Sequence, residues 1–201
     1  TQLLNIINSI LYMSRLESGS AEMHQEILAL DNVLASNIEA FRAAAEAQGI
    51  SLKPMFSADM PSVLFDRNCL SRIVHCVLDN AIKFSGPGAK VWVEARTLKD
   101  GRIDIRFRDT GAGIPEDVLR EVIKPFRQAD SGRSRRFGGV GLGLAMANSI
   151  AKLHNTTIEL ESVEGVGTTV ILTIPANRVV LNGDSRLKNV KDEADDPAIA
   201  A

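Results

Sequence analysis

The sequence predicts an α+β domain, a two-layer arrangement in which a mostly antiparallel sheet carries its helices on one face. Two alternating stretches and two amphipathic helices support this. Residues 90–97 place Val91, Val93 and Ala95 on one side and Trp92, Glu94 and Arg96 on the other. Lys99-Asp100-Gly101 makes a turn, and 102–109 alternates again. Helical spacing of apolar residues marks 67–84 and 141–153, and a hairpin of strands 156–162 and 168–174 closes the pattern.

The other elements follow in chain order. Residues 1–18 set Leu3, Ile6, Ile7, Ile10, Leu11 and Leu16 on a broad apolar stripe at helical spacing. Such a helix calls for a partner helix, from an upstream part or a second copy; packing on its own domain is the alternative. After Gly19, Asp31 is placed to cap a helix whose apolar face is Leu34, Ile38, Phe41 and Ala45, and Gly49 to end it. A strand is expected near 50–57, and Asp66 as the N-cap of the helix 67–84. A short helix near 115–121 precedes an irregular, Arg- and Gly-rich stretch to 140. From Arg178 onward charges cluster, the pattern of a linker or loose end. The chain thus divides into residues 1–19, a domain over 20–177, and a tail over 178–201.

Composition narrows the function. Of 201 residues, 45% are hydrophobic and 24% charged, the balance of a soluble globular protein. No apolar run is long enough to span a bilayer and no signal-peptide pattern opens the chain. The expected setting is cytoplasmic, without membrane contact by this segment; any anchor of a longer parent would lie upstream of Thr1. A formal charge of −2 argues against nucleic acid as the main partner. Cys69 and Cys76 stand seven apart on one helix, roughly 10 Å, too far for a disulfide. No CxxC or Cys/His cluster suggests structural zinc.

Three groups of residues carry chemistry. On the helix 67–84, Leu70, Ile73, Val74, Val77, Leu78, Ala81 and Ile82 form the apolar face, and Arg72, Cys76, Asn80 and Lys83 line the opposite side. Asn80 offers an oxygen suited to Mg²⁺ and Lys83 a charge for phosphate, although such residues also decorate ordinary solvated faces. In the strand 102–109 the inward row is Ile103, Ile105, Phe107 and then Asp109. A carboxylate on that side, followed by Thr110-Gly111-Ala112-Gly113-Ile114, suits an exocyclic amine such as that of adenine; simple capping of the turn is the alternative. Finally, Gly138-Gly139-Val140-Gly141-Leu142-Gly143 runs into a helix, where free amides make an anion site. It lacks the Gly-Lys-Ser/Thr of a Walker loop, and a loop bearing Arg127, Arg133, Arg135 and Arg136 precedes it rather than a strand.

Together these pieces resemble the sensor histidine kinases. Leu78-Asp79-Asn80-Ala81-Ile82-Lys83-Phe84 is similar to their N box, Asp109 to Ile114 to the G1 box, Pro125-Phe126-Arg127-Gln128 to the F box, and Gly139 to Leu144 to the G2 box. Leu11 to Gly19 resembles the end of the second helix of the dimerisation and histidine-phosphotransfer domain. The resemblance implies the two-layer Bergerat fold and an enzyme that uses Mg²⁺ and ATP. Asn80 would bind the Mg²⁺ and Lys83 a phosphate, and these two would carry catalysis. Phe84 would lie against adenine, and Asp109 would accept its amine with Gly111, Gly113 and Ile114 alongside. A lid from Phe126 to Gly138 would bring Arg135 and Arg136, while Gly139, Gly141, Leu142 and Gly143 would serve the phosphates. The implied partners are ATP and ADP, a second copy through the helical bundle of the parent, and a response-regulator receiver domain. The family's phosphoacceptor helix is absent, and His24, His75 and His154 stand in the wrong contexts to replace it. Cys76 stands where many relatives have a second Asn and the hydrolytic ones a Glu. This keeps a nucleotide-sensing or scaffold role as the alternative and weighs against hydrolysis.

Overall fold

The computed structural model describes residues 7, 10–12, 14, 16, 23–57, 60–119, 121–124 and 141–181. Its main sheet has five strands in the order β2-β4-β5-β7-β6, namely Ser51–Met55, Lys90–Thr97, Ile103–Asp109, Gly167–Ile174 and Thr157–Val163. A smaller sheet, β1-β3-β8, joins Gln25–Ala29, Ser62–Asp66 and Val179–Val180. The helices are α1 (Leu30–Ala47), α2 (Arg67–Lys83), the short α3 (Glu116–Leu119) and α4 (Gly143–Leu153). The main sheet is antiparallel except where β2 runs parallel to β4. Pro54 sits in β2 because an edge strand has a side where no ladder donor is required.

Alternation decides which sheet face is covered. Val91, Val93, Ala95, Ile103, Ile105, Phe107, Val170, Leu172 and Ile174 are buried and belong to one apolar core with the helices. α2 contributes Leu70, Ile73, Val74, Val77, Leu78, Ala81 and Ile82, and it touches both α1 and α4. Each buried branched side chain in this layer is worth about 1.5–3 kcal/mol against leaving it in water. Asp66 caps α2 as expected, its Oδ1 accepting from the Cys69 amide at 2.9 Å.

Several features depart from the sequence reading. α1 begins at Leu30 with Ala29 as its N-cap and no side-chain cap bond, so Asp31 lies inside the first turn. The cause is β1, an unexpected strand that runs straight into the helix. β3 and β8 were equally unexpected. Arg178 is not the start of a loose end: it ends a 3-10 turn, Ala176–Arg178, and donates to the Leu64 carbonyl at 2.9 Å and to Gln25 Oε1 at 3.2 Å. Val179 and Val180 are buried against β3, whereas residues 182–201 lie outside the described part. Of the N-terminal stripe, Leu16 is buried while Ile7, Ile10 and Leu11 are exposed, and Leu3 and Ile6 are outside the described residues; Tyr12, which the stripe did not include, packs on the core. Among the described residues no helix is long and apolar enough to cross a membrane, and both cysteines are free.

His154, at the C-terminal end of α4, ties that helix to β3 of the smaller sheet. It is fully buried, its ring stacked on Phe65 at 4.0 Å between centroids. Nε2 receives the Asp66 amide at 3.4 Å, so the proton belongs on Nδ1, which is 3.1 Å from the Ile150 carbonyl. Burial holds its pKa below the ordinary value of about 6.5. The unfolded chain therefore takes up a proton that the folded chain refuses, and stability is lost as pH falls below about 6.5 toward the folded pKa. The urea midpoint is expected to drop between pH 7 and pH 5, and His154→Gln to flatten that drop.

Candidate functional site

The last turns of α2 and the first turn of α4 meet at Gly143, which stands beside the Asn80 side chain. A Cβ on Gly143 would stand 3.6 Å from Asn80 Nδ2, 4.0 Å from Asn80 Oδ1 and 3.9 Å from Cys76 Cβ. Without one, the backbone at the start of α4 faces the Asn80 carboxamide directly. Gly141 and the buried Leu142 lead into this helix, whose N-cap residue Leu142 has no polar side chain to cap the first amides. Uncapped amides at a helix start, beside a carboxamide oxygen, form an anion- and cation-compatible corner.

The loop after β5 is built around Asp109. Its Oδ1 accepts from the Gly111 amide at 2.8 Å and the Thr168 amide at 3.2 Å. Among the described residues no hydrogen-bond donor reaches Oδ2. Burial pushes the carboxyl up from the ordinary carboxylate range, opposed by those two amides. The group is thus a half-desolvated acceptor with one oxygen committed to the protein and one open.

Both regions are tied to the C-terminus of α2. The Phe84 amide donates to the Asn80 carbonyl at 3.0 Å, and the Phe84 carbonyl accepts from Ala112 at 3.2 Å. A Cβ on Gly111 would lie 2.7 Å from that same carbonyl oxygen, which explains the glycine. Phe84 is 38% exposed, and the Lys83 ammonium stands 5.3 Å from its ring centroid. The other wall is the β6–β7 hairpin. Ile114 donates to Ser162 Oγ at 2.8 Å and Gly165 to the Ala112 carbonyl at 2.7 Å. Gly113 has φ +67° and packs so closely that a Cβ there would fall 2.1 Å from the Val163 carbonyl oxygen. Sequence reasoning missed Ser162, Gly167 and Thr168. The only local trace is the run Gly165-Val166-Gly167-Thr168 at the hairpin turn.

Of the residues singled out from sequence, Asn80, Gly141, Leu142 and Gly143 form one cluster and Phe84, Asp109, Gly111, Gly113 and Ile114 another, joined through Lys83 and Phe84. Phe126, Arg127, Arg133, Arg135, Arg136, Gly138, Gly139 and Val140 lie outside the described residues. Among the described residues no cluster of three or more His, Cys, Asp or Glu side chains could hold a metal ion alone. Asn80 Oδ1 suits Mg²⁺ as a single hard ligand, with ligand oxygens and water completing the shell. Cys76 suits it less: burial pushes its thiol up to about 11, so it stays protonated at neutral pH. A groove of about 680 Å³ lies on the outer side of the Gly111–Gly113 loop, lined also by Gly86–Ala89, Glu164 and Gly165; neither Asp109 nor Asn80 lines it.

The tight seat of Gly113 gives a direct expectation. Gly113→Ala combines a left-handed φ with a clash against backbone and should cost about 2 kcal/mol or more. Gly86→Ala, where a Cβ would meet nothing within 4 Å, should stay within about 0.5 kcal/mol. Urea denaturation of both variants checks the contrast.

Residues 65–178 match the family model described as "Histidine kinase-, DNA gyrase B-, and HSP90-like ATPase". The chain is 35% identical over 176 residues to the non-motile and phage-resistance protein of Caulobacter vibrioides, covering 86% of this chain and 21% of that protein. It is 31% identical over 177 residues to an uncharacterized sensor-like histidine kinase of Rhizobium meliloti, covering 88% of this chain and 34% of the relative. Among solved structures, full-length ShkA in complex with AMPPNP superposes with a TM-score of 0.78 at 24% identity, covering 89% of this chain and 36% of that one. The mycobacterial sensor histidine kinase MprB gives 0.67 at 26% identity, covering 78% and 99%. The chain spans roughly a fifth to a third of the length of these curated relatives. With the mixed sheet, its single helical layer and the Asn80 and Asp109 clusters, these matches show that the chain belongs to the histidine kinase-, gyrase B- and HSP90-like ATPase family, as a sensor histidine kinase catalytic and ATP-binding domain.

Proposed function

We propose that the chain binds Mg-ATP and delivers its γ-phosphoryl group to a histidine on a dimerisation domain of a longer parent, within two-component signalling. The observation that carries this reading is the Asp109 carboxylate at the end of a strand, with Oδ1 held by two backbone amides and Oδ2 met by no donor among the described residues. Oδ2 would accept the adenine amine, and Phe84 would lie along the base. Asn80 and the uncapped start of α4 are close enough to serve the phosphate end together. Mg²⁺, held by Asn80 Oδ1 and phosphate oxygens, would supply charge neutralisation. Lys83, the amides of Gly139, Gly141, Leu142 and Gly143, and the lid residues Arg135 and Arg136 would orient the phosphates. Transfer breaks the bond from the γ-phosphorus to the β,γ-bridging oxygen and forms one to an imidazole nitrogen, leaving ADP.

Residues 1–19 would belong to the dimerisation helices, 20–177 to the catalytic domain and 178–201 to a tail, although 178–180 pack with the domain. The parent would act as a homodimer through its helical bundle and pass the phosphoryl group to a response-regulator receiver domain. Of the chain's own histidines, His154 is fully buried and closed to phosphoryl transfer, whereas His24 and His75 are exposed and stand outside the family's phosphoacceptor context by sequence alone. Hydrolysis is disfavoured because the protonated Cys76 thiol is no general base. The same cysteine supports a second reading, a nucleotide sensor whose binding is indifferent to Mg²⁺.

Calorimetric titration of ATP and ADP, with and without Mg²⁺, tests the proposal. Mg²⁺-dependent binding is expected, with Asp109→Asn weakening it by at least about tenfold through loss of a charged hydrogen bond. Binding that ignores Mg²⁺ would favour the sensor. Absence of binding by either nucleotide would leave no catalytic role for the chain.

A further inference from the structure

Arg72 lies on the same strip of α2 as Cys76 and Asn80, one and two helical turns upstream of them. Its guanidinium carbon is 4.2 Å from the centroid of the Tyr12 ring, and its Nη1 is 3.6 Å from Met146 Sδ in α4. Tyr12 belongs to the N-terminal helical segment and also reaches α2 through its hydroxyl, 3.5 Å from Cys69 Sγ. Leu16, one turn further on, is buried in the core. One cation therefore touches the N-terminal segment on one side and α4 on the other. α4 is the helix whose first residue, Gly143, faces Asn80.

We propose that Arg72 is a positioning residue for the nucleotide site and that its setting depends on Tyr12, so that docking of the N-terminal segment and nucleotide binding are coupled. The inference rests on the reading of that site as one for Mg-ATP. With the Tyr12 ring against it, the guanidinium is held where it meets the Met146 sulfur, fixing the second half-turn of α4 over α2. When the segment withdraws, Arg72 loses its aromatic partner, and the apolar seam that sets Gly143 against Asn80 loses one polar tie at its edge. The docked state thus favours nucleotide, and by linkage nucleotide favours the docked state. Burial raises the Tyr12 hydroxyl pKa, which fits a ring seated on the domain rather than free in water.

The test is titration of Mg-ADP into the unaltered chain, Tyr12→Ala, Arg72→Gln, the double variant and Tyr12→Phe. Each of the first two single variants should weaken binding by about threefold or more, and the double by no more than the larger single effect. Tyr12→Phe keeps the stacked ring and should bind like the unaltered chain. Tyr12 is the only tyrosine in the chain, so isotope labelling of tyrosine gives one ring to follow by NMR, and its resonances should shift on Mg-ADP saturation. Equal affinity of Tyr12→Ala and the unaltered chain, or additive effects in the double variant, would overturn the coupling while leaving the nucleotide site standing. Failure of the unaltered chain to bind would instead bring down the nucleotide reading itself, and the coupling with it.

Discussion

A carboxylate that has left water must be met by donors, and the way Asp109 is met organises much of this molecule. β5 delivers it on the same side as Ile103, Ile105 and Phe107, at the edge of the core. The Gly111 amide comes from the loop that follows and the Thr168 amide from the neighbouring strand, so one oxygen fastens loop and hairpin together. Desolvation of a carboxylate costs several kcal/mol if unanswered. Two charge-assisted hydrogen bonds offset part of that cost and leave the second oxygen available. The close approaches of Gly111 and Gly113 are consequences, because any side chain there would push the loop off the backbone it must touch.

α2 then works on two sides. Its apolar face is core, which fixes the helix over the sheet. Its other side carries Arg72, Cys76 and Asn80 in line toward α4, and its C-terminus hands the Phe84 carbonyl to Ala112. The region suited to a base and the region suited to phosphates are thereby set at fixed separation by one rigid helix. Asp66 anchors the other end of α2. Burial raises its carboxyl, but the amides of Cys69 and His24 outweigh this and hold it below the usual range.

The sequence carried the parts of this arrangement that repeat locally. β4 and β5 were legible from strict alternation, α2 from its apolar period and the Asp66 cap, and Asp109 from its place in the inward row. What was not legible depends on partners distant along the chain. β1, Gln-Glu-Ile-Leu-Ala, and β3, Ser-Val-Leu-Phe-Asp, are short, and each is a strand because the other pairs with it. Val179 and Val180 are held by β3, across most of the chain, so a charged neighbourhood disguised them. Ser162 and Thr168 entered the site only through hydrogen bonds from Ile114 and to Asp109, which no periodicity announces.

In the proposed function, Asp109 reads an exocyclic amine. Comparing the affinity of the unaltered chain for ATP with that for inosine triphosphate tests this, because the six-position amine of the purine gives way to a carbonyl and the neighbouring N1 gains a proton. If Asp109 Oδ2 accepts from that amine, the carbonyl faces a carboxylate and loses its donor, so inosine triphosphate should bind at least about tenfold more weakly. Equal binding of the two nucleotides would contradict this reading, since the base would then be held without a hydrogen bond to the open oxygen of Asp109.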